Sequence, residues 1–151
     1  MEIAVLACGC FWGPEIKFSK LEGIYRTEVG YSGGNSPKTS YEEVCTGNTN
    51  HAEVVKLEFD PNKISYEKIL EFFFQIHDPT TLNSQGPDFG TQYRSEIFYL
   101  NDNQKNIAEK ITKKIIEKYN KKLSGKVVTK ISQIKNYCIA EEYHQKYLEK
   151  R

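Results

Sequence analysis

Two kinds of hydrophobic pattern alternate along this chain, and their order restricts what it can fold into. Short apolar or alternating runs, which suit strands, cover Glu2–Cys8, Ile24–Tyr31, Ala52–Phe59, Glu96–Leu100 and Val127–Ile131. Helical signals stand between and after them. Pro14 fits the first turn of a helix running to about Lys20. Ser65 is placed to cap a helix that reaches Ile76 with Ile69, Leu70, Phe72 and Phe73 as its apolar positions. Asn103–Asn120 carries Ile107, Ile111 and Ile115 on one stripe, Tyr41–Cys45 suits a short helix, and Glu141–Glu149 reads as a closing helix. Gly, Pro, Asn and Ser mark loops at residues 32–37 and 46–48, and Asp78–Gln92 is a long polar loop of the kind that often carries function. This order predicts an α+β fold: a two-layer sandwich with a mixed, mainly antiparallel sheet and helices packed on it, of the ferredoxin-like or split β-α-β type. At 151 residues with no internal repeat or Pro/Ser linker, one domain spanning residues 1–151 is expected.

Composition excludes several function classes. A net charge of +1 gives no whole-chain field for nucleic acid. Lys105–Lys122 is interrupted by Glu109 and Glu117, which suits the solvated face of a helix. The apolar runs are too short to span a bilayer, and no basic region precedes Ile3–Leu6 as it would in a signal peptide. A monomeric, cytoplasmic protein without membrane or nucleic-acid partners is the expectation.

Cys8, Cys10, Cys45 and Cys138 need no disulfide framework in a chain of this size, so burial, metal binding or chemistry must account for them. Cys10 falls where a strand ends and a helix begins, between Gly9 and Gly13. A helix N-terminus favours a thiolate there, and the glycines permit close approach of a substrate. Phe11 and Trp12 would flank the sulfur with apolar surface, although the same residues also fit a cysteine packed between core aromatics. His51, His77 and His144 lack zinc-finger spacing relative to the cysteines, so no metal site is expected, and His51 and His77 are expected to hold loops.

Gly9-Cys10-Phe11-Trp12-Gly13 resembles the signature of the methionine sulfoxide reductase A family. Six further blocks match it in order: Gly30–Gly34, Tyr41–Gly47, His51–Val55, His77–Thr81, Gly90–Ser95 and Ala140–Gln145. The resemblance implies thiol-dependent reduction of the S epimer of methionine sulfoxide, with no bound cofactor. Its partners would be oxidised methionine-containing proteins or peptides and a thioredoxin or other thiol reductant. It assigns the nucleophile to Cys10 and the acid to Glu53, which stands in an otherwise apolar strand. Tyr41 and Tyr93 would hydrogen-bond the sulfoxide oxygen, Asp88 would order the polar network, and Phe11 and Trp12 would hold the substrate's methyl group.

The attack would leave Cys10 as a sulfenic acid. Many family members carry resolving cysteines beyond the Tyr-His-Gln block, whereas residues 145–151 contain none. Direct recycling by an external thiol is therefore expected, with Cys138 as the fallback resolver. Cys8 lies two residues from Cys10, where an extended strand would strain a bridge. Asn50 and Pro87 stand where the family usually has Gly and Asn.

Overall fold

The computed structural model describes residues 1–122 and 126–150. Its central sheet has six strands: β1 (Glu2–Cys8), β2 (Ile24–Ser32), β3 (Ala52–Phe59), β6 (Ser95–Tyr99), β7 (Lys130–Gln133) and β8 (Cys138–Ile139). Their order is β7-β6-β1-β3-β2-β8, with β6–β7 the one parallel pair. Within it, β6-β1-β3-β2 together with α1 (Trp12–Ser19) and α3 (Tyr66–Gln75) is the expected split β-α-β arrangement. α2 (Tyr41–Cys45) lies between β2 and β3, and α4 (Asp102–Lys122) packs on α3, β6 and β7.

Strand alternation decides which residues face the helices. Ala4, Leu6 and Cys8 of β1, Val29 and Tyr31 of β2, and Val55, Leu57 and Phe59 of β3 join Phe18, Ile69, Leu70, Phe73 and Ile111 in the main core. Burying each large apolar side chain there contributes about 1.5–3 kcal/mol relative to exposure. The opposite face carries Val5, Ala7, Ala52, Val54 and Phe98, covered by Ile134 and Tyr137. Glu53 is the next inward position after Val55 on β3, so the pattern that builds the core also buries a carboxyl group at its end.

Local chemistry fixes the helix starts. Ser65 Oγ accepts from Lys68 N, as the sequence predicts for α3, and Ser40 Oγ does the same for Glu43 N at α2. Phe11 caps α1 without a side-chain hydrogen bond, leaving the donors of that helix N-terminus for other partners.

The edge strand β8 was not expected from the sequence, and three other segments differ from the sequence reading. Residues 78–92 are not a plain loop: β4 (Ser84–Gln85) and β5 (Asp88–Phe89) form a hairpin, and Thr91–Tyr93 is a 3₁₀ helix. Gly86 at φ 55 precedes Pro87 in the two-residue turn, a combination suited to a primed hairpin turn, so Pro87 is tolerated. The strand expected at Val127–Ile131 lies at Lys130–Gln133, where it pairs with β6. The expected closing helix is only a 3₁₀ turn at Glu142–His144, with Lys146 at φ 51. Its polar side chains explain why: Glu141 bonds to Tyr31 of β2 and Tyr41 of α2, His144 to Trp12 of α1 and Gln145 to Val29 of β2, directions that one regular helix face would not allow.

Candidate active site

β1 pairs with β3 only as far as Leu6 and Val55. Past that point β1 ends at Cys8, and Gly9 adopts φ +96 with its α-carbon against Gln85 of the hairpin. A Cβ there would come within 2.8 Å of that side chain, so both the turn and the contact require glycine. The turn delivers Cys10, half-buried, to the uncapped start of α1. It also means that Cys8 and Cys10 are not related by an extended strand, contrary to the sequence reading.

Glu53 and Cys10 meet through the backbone of the next residue: Phe11 N donates to Glu53 Oε1 at 3.2 Å. The other oxygen, Oε2, is buried and has no hydrogen-bond partner. Burial, opposed by the Phe11 N–H and reinforced by the Asp88 charge, pushes the Glu53 carboxyl up to about 8. At neutral pH it therefore holds a proton.

The sequence reading expected a thiolate at Cys10. Burial instead pushes the thiol up to about 11; the Trp12 N–H of the helix start lowers it, and the Glu53 and Asp88 charges raise it. The helix terminus favours the sulfur anion as anticipated, but desolvation is the larger effect. The resting site thus holds a thiol beside a protonated carboxyl group.

Asp88, Tyr93 and Tyr41 surround this pair from separate elements. Asp88 sits on the hairpin strand β5, paired with Gln85. Tyr93 ends the following 3₁₀ helix and feels the charges of Glu53, Asp88 and Cys10, while burial pushes its phenol up to about 12. Burial also pushes Tyr41 up, and its hydroxyl interacts with Cys45, one helical turn further along α2. Both phenols keep their protons at neutral pH and can donate. A buried Arg94–Glu96 pair at 2.7 Å anchors this wall: Arg94 also donates to Thr91 O and Asn50 O, tying the 3₁₀ helix to the entry of β3. Asn50 has φ 58, which explains how Asn stands at a position where Gly is usual.

Phe11 and Trp12 divide their roles. The Phe11 ring is 1% exposed and packs against Tyr31 and His144, so it forms the floor of the site more than its wall. Trp12 is half-buried, donates from Nε1 to His144 Nδ1 at 3.0 Å, and stacks on Tyr147. Cys138 lies on the edge strand β8, opposite Tyr31, with Sγ 3.8 Å from Thr39 O. All four cysteines are free thiols.

His51 accepts from Gly34 N and bonds Ser36 O, and His77 bonds Phe73 O and Ser95 Oγ, so both hold loops as expected. Among the described residues, no three His, Cys, Asp or Glu side chains converge in a way that could hold a metal ion. No helix there is long and apolar enough to cross a membrane. The sequence reading did not assign roles to Glu141, His144 or Tyr147 individually. Glu141 accepts from Tyr31 Oη and Tyr41 N, both at 2.8 Å, and so places one of the two phenols. A polar cluster in a stretch with weak helical periodicity was the available signal.

A half-buried thiol, a protonated carboxyl group and two neutral phenols on a split β-α-β scaffold define a thiol oxidoreductase site. The family model for peptide methionine sulfoxide reductase matches residues 2–151, and the chain belongs to that family. It is 76% identical over 151 residues, the full length of both chains, to the peptide methionine sulfoxide reductase MsrA of Pelagibacter ubique (strain HTCC1062). The crystal structure of Mxr1 from Saccharomyces cerevisiae in reduced form superposes with a TM-score of 0.89 at 44% identity, covering 99% of this chain and 85% of that one. Mxr1 in complex with Trx2 matches with a TM-score of 0.65 at 30% identity, covering 97% and 84%.

Proposed function

We propose that Cys10 takes the oxygen of a methionine S-sulfoxide while Glu53 supplies the proton that the oxygen needs as it leaves carbon-bound sulfur. The observation that carries this reading is the unpartnered, buried Oε2 of a protonated Glu53, held beside Cys10 by the Phe11 N–H. An acid with one oxygen fixed and the other free is arranged to donate to a substrate atom.

The sulfoxide oxygen carries partial negative charge and its sulfur partial positive charge. The Tyr41 and Tyr93 hydroxyls donate to the oxygen, and Glu53 protonates it, making the sulfur more electrophilic. Cys10 Sγ attacks that sulfur, and its own proton replaces the one Glu53 gave; the hydroxyl then passes from the substrate sulfur to Sγ as the S–O bond and the transient S–S bond break. The net change is thiol plus sulfoxide to sulfenic acid plus thioether: Cys10 loses two electrons and the substrate sulfur gains them. Asp88 orders the donors around the oxygen, and Trp12, with Phe11 beneath it, receives the methyl group.

Two reducing thiols then return Cys10 to its resting state, releasing water and leaving a disulfide between them. An external dithiol of the thioredoxin type fits this step, and Mxr1 has been crystallised with Trx2. Cys138 serves only as a fallback, since it bonds Thr39 O on the edge strand. The substrates are oxidised methionines in proteins or peptides and the free amino-acid sulfoxide, and the protein acts as a cytoplasmic monomer in repair of oxidised proteins. Assaying each sulfoxide epimer with dithiothreitol and then thioredoxin tests this reading. The S epimer alone should be reduced, and Cys10→Ser should be inactive; full activity in that variant would refute it.

A further inference from the structure

The β4–β5 hairpin carries Asp88 to the site, yet it is a two-stranded sheet separate from the central one. Backbone pairing with the central sheet therefore does not set its distance from Cys10. Gln85, the cross-strand partner of Asp88, makes the contacts that do. Its stem lies over the Gly9 turn: a Cβ on Gly9 would meet Gln85 Cβ and Cγ at 2.8 Å. Its amide joins the segment that leaves α3. Nε2 donates to Asp78 O and to Thr81 Oγ1, and Oε1 accepts from Asp78 N at 3.1 Å. An amide that meets both the N–H and the C=O of one residue holds one orientation, because its donor and acceptor ends are not interchangeable. One side chain thus ties the hairpin to the turn that presents Cys10 and to the end of α3.

We propose that Gln85 is a positioning residue: it clamps the hairpin to the Gly9 turn and to Asp78, and so fixes how close the Asp88 carboxylate stands to Cys10 and Glu53. This deepens the proposed reading of the site, and its test reads the thiol itself, so the two can fail separately. The groups facing Cys10 are the Glu53 and Asp88 carboxyls, the Trp12 N–H of α1, the Tyr93 phenol and the Cys8 thiol. Burial pushes the phenol and the Cys8 thiol up to about 12, so both are uncharged near pH 7. Asp88 therefore brings a negative charge from outside the sheet, and it raises both Cys10 and Glu53. A hairpin released from its clamp carries that charge away from both.

The test is the rate at which iodoacetamide alkylates Cys10 in the reduced full chain, followed against pH with each cysteine resolved by mass spectrometry. Gln85→Met keeps a stem over Gly9 and removes the amide, whereas Gln85→Ala removes both. In Gln85→Met the Cys10 titration should move down from about 11 by about half a pH unit, the size of a nearby charge weakened by solvent. Gln85→Ala should move it at least as far. Asp88→Asn should lower it by itself, and adding Gln85→Met to that variant should lower it no further, since the clamp acts through the Asp88 charge. In the same series kcat/KM on methionine S-sulfoxide should fall by about tenfold in Gln85→Met. An unchanged Cys10 titration in Gln85→Met, or an equal further shift in the Asp88→Asn background, would overturn the proposal. The predicted shifts in a protein that reduces no sulfoxide would uphold the clamp and refute the reading of function.

Discussion

Glu15 and Glu53 are both buried carboxyl groups, 2% and 1% exposed, yet they do opposite work. Glu15, on α1, has a donor on each oxygen: Thr27 Oγ1 donates at 2.9 Å, Lys146 N at 2.7 Å, and Lys146 Nζ lies 3.9 Å away. It fastens the closing segment to the sheet. Glu53, on β3, has one donor on one oxygen and none on the other. A buried carboxyl with a donor on each oxygen is a structural tie, whereas one left half-satisfied keeps its proton and offers it. Residue type and burial do not separate the two; their partners do.

The sharpest way to break this contrast is to remove the proton from Glu53. Glu53→Gln should lower kcat/KM for methionine S-sulfoxide by about 10²- to 10⁴-fold, the usual worth of a general acid, as measured by steady-state assay. The next effect belongs to Glu15. Glu15→Ala should cost about 2–4 kcal/mol in urea denaturation, because it strands buried donors, while turnover per folded molecule changes little. If both variants lost activity alike, the distinction would fail.

Titration sharpens the same comparison. The acid must be protonated to act, so activity should fall as pH rises through about 8, where the Glu53 carboxyl ionises. Its folded pKa is raised, so the stability it contributes is fully present below the ordinary carboxylate range and is lost as pH rises through about 8. Glu53→Gln should abolish that alkaline decline, of the order of a few kcal/mol, in denaturation curves taken at several pH values. His77 acts on the other side. Its pKa is pushed down to about 4 by burial, so its contribution is present above the ordinary histidine range and lost as pH falls through about 4.

The smallest effects should come from positions outside both carboxyl sites. Cys138→Ser should leave turnover with an external dithiol unchanged within error. Asn50→Gly should stabilise by about 0.5 kcal/mol or less, since φ 58 suits glycine and the Arg94 bond is to the Asn50 backbone oxygen.

How much of this was legible in the sequence depends on the reach of each interaction. β1, β3 and α3 were readable because strand alternation and the Ser65 cap act within a few residues. Glu53 stood out as the polar residue in an apolar strand, but its partner Phe11 lies 42 positions away, so its half-satisfied state did not. Cys10 was placed correctly at the strand-to-helix turn, while its protonation was misjudged because burial comes from the fold and not from its neighbours in sequence. The closing segment was misread as a helix because its hydrogen bonds reach Trp12 and Val29, 132 and 116 positions away. No local period encodes such contacts.

The central claim is that the sulfoxide oxygen passes to Cys10 with Glu53 as the acid. Reacting the reduced protein with one equivalent of methionine S-sulfoxide, without reductant and with dimedone present, tests it by mass spectrometry. One methionine should form per chain, with dimedone attached at Cys10 and the other three cysteines free. Stoichiometric methionine with Cys10 still a thiol, or the label on Cys8, Cys45 or Cys138, would contradict it.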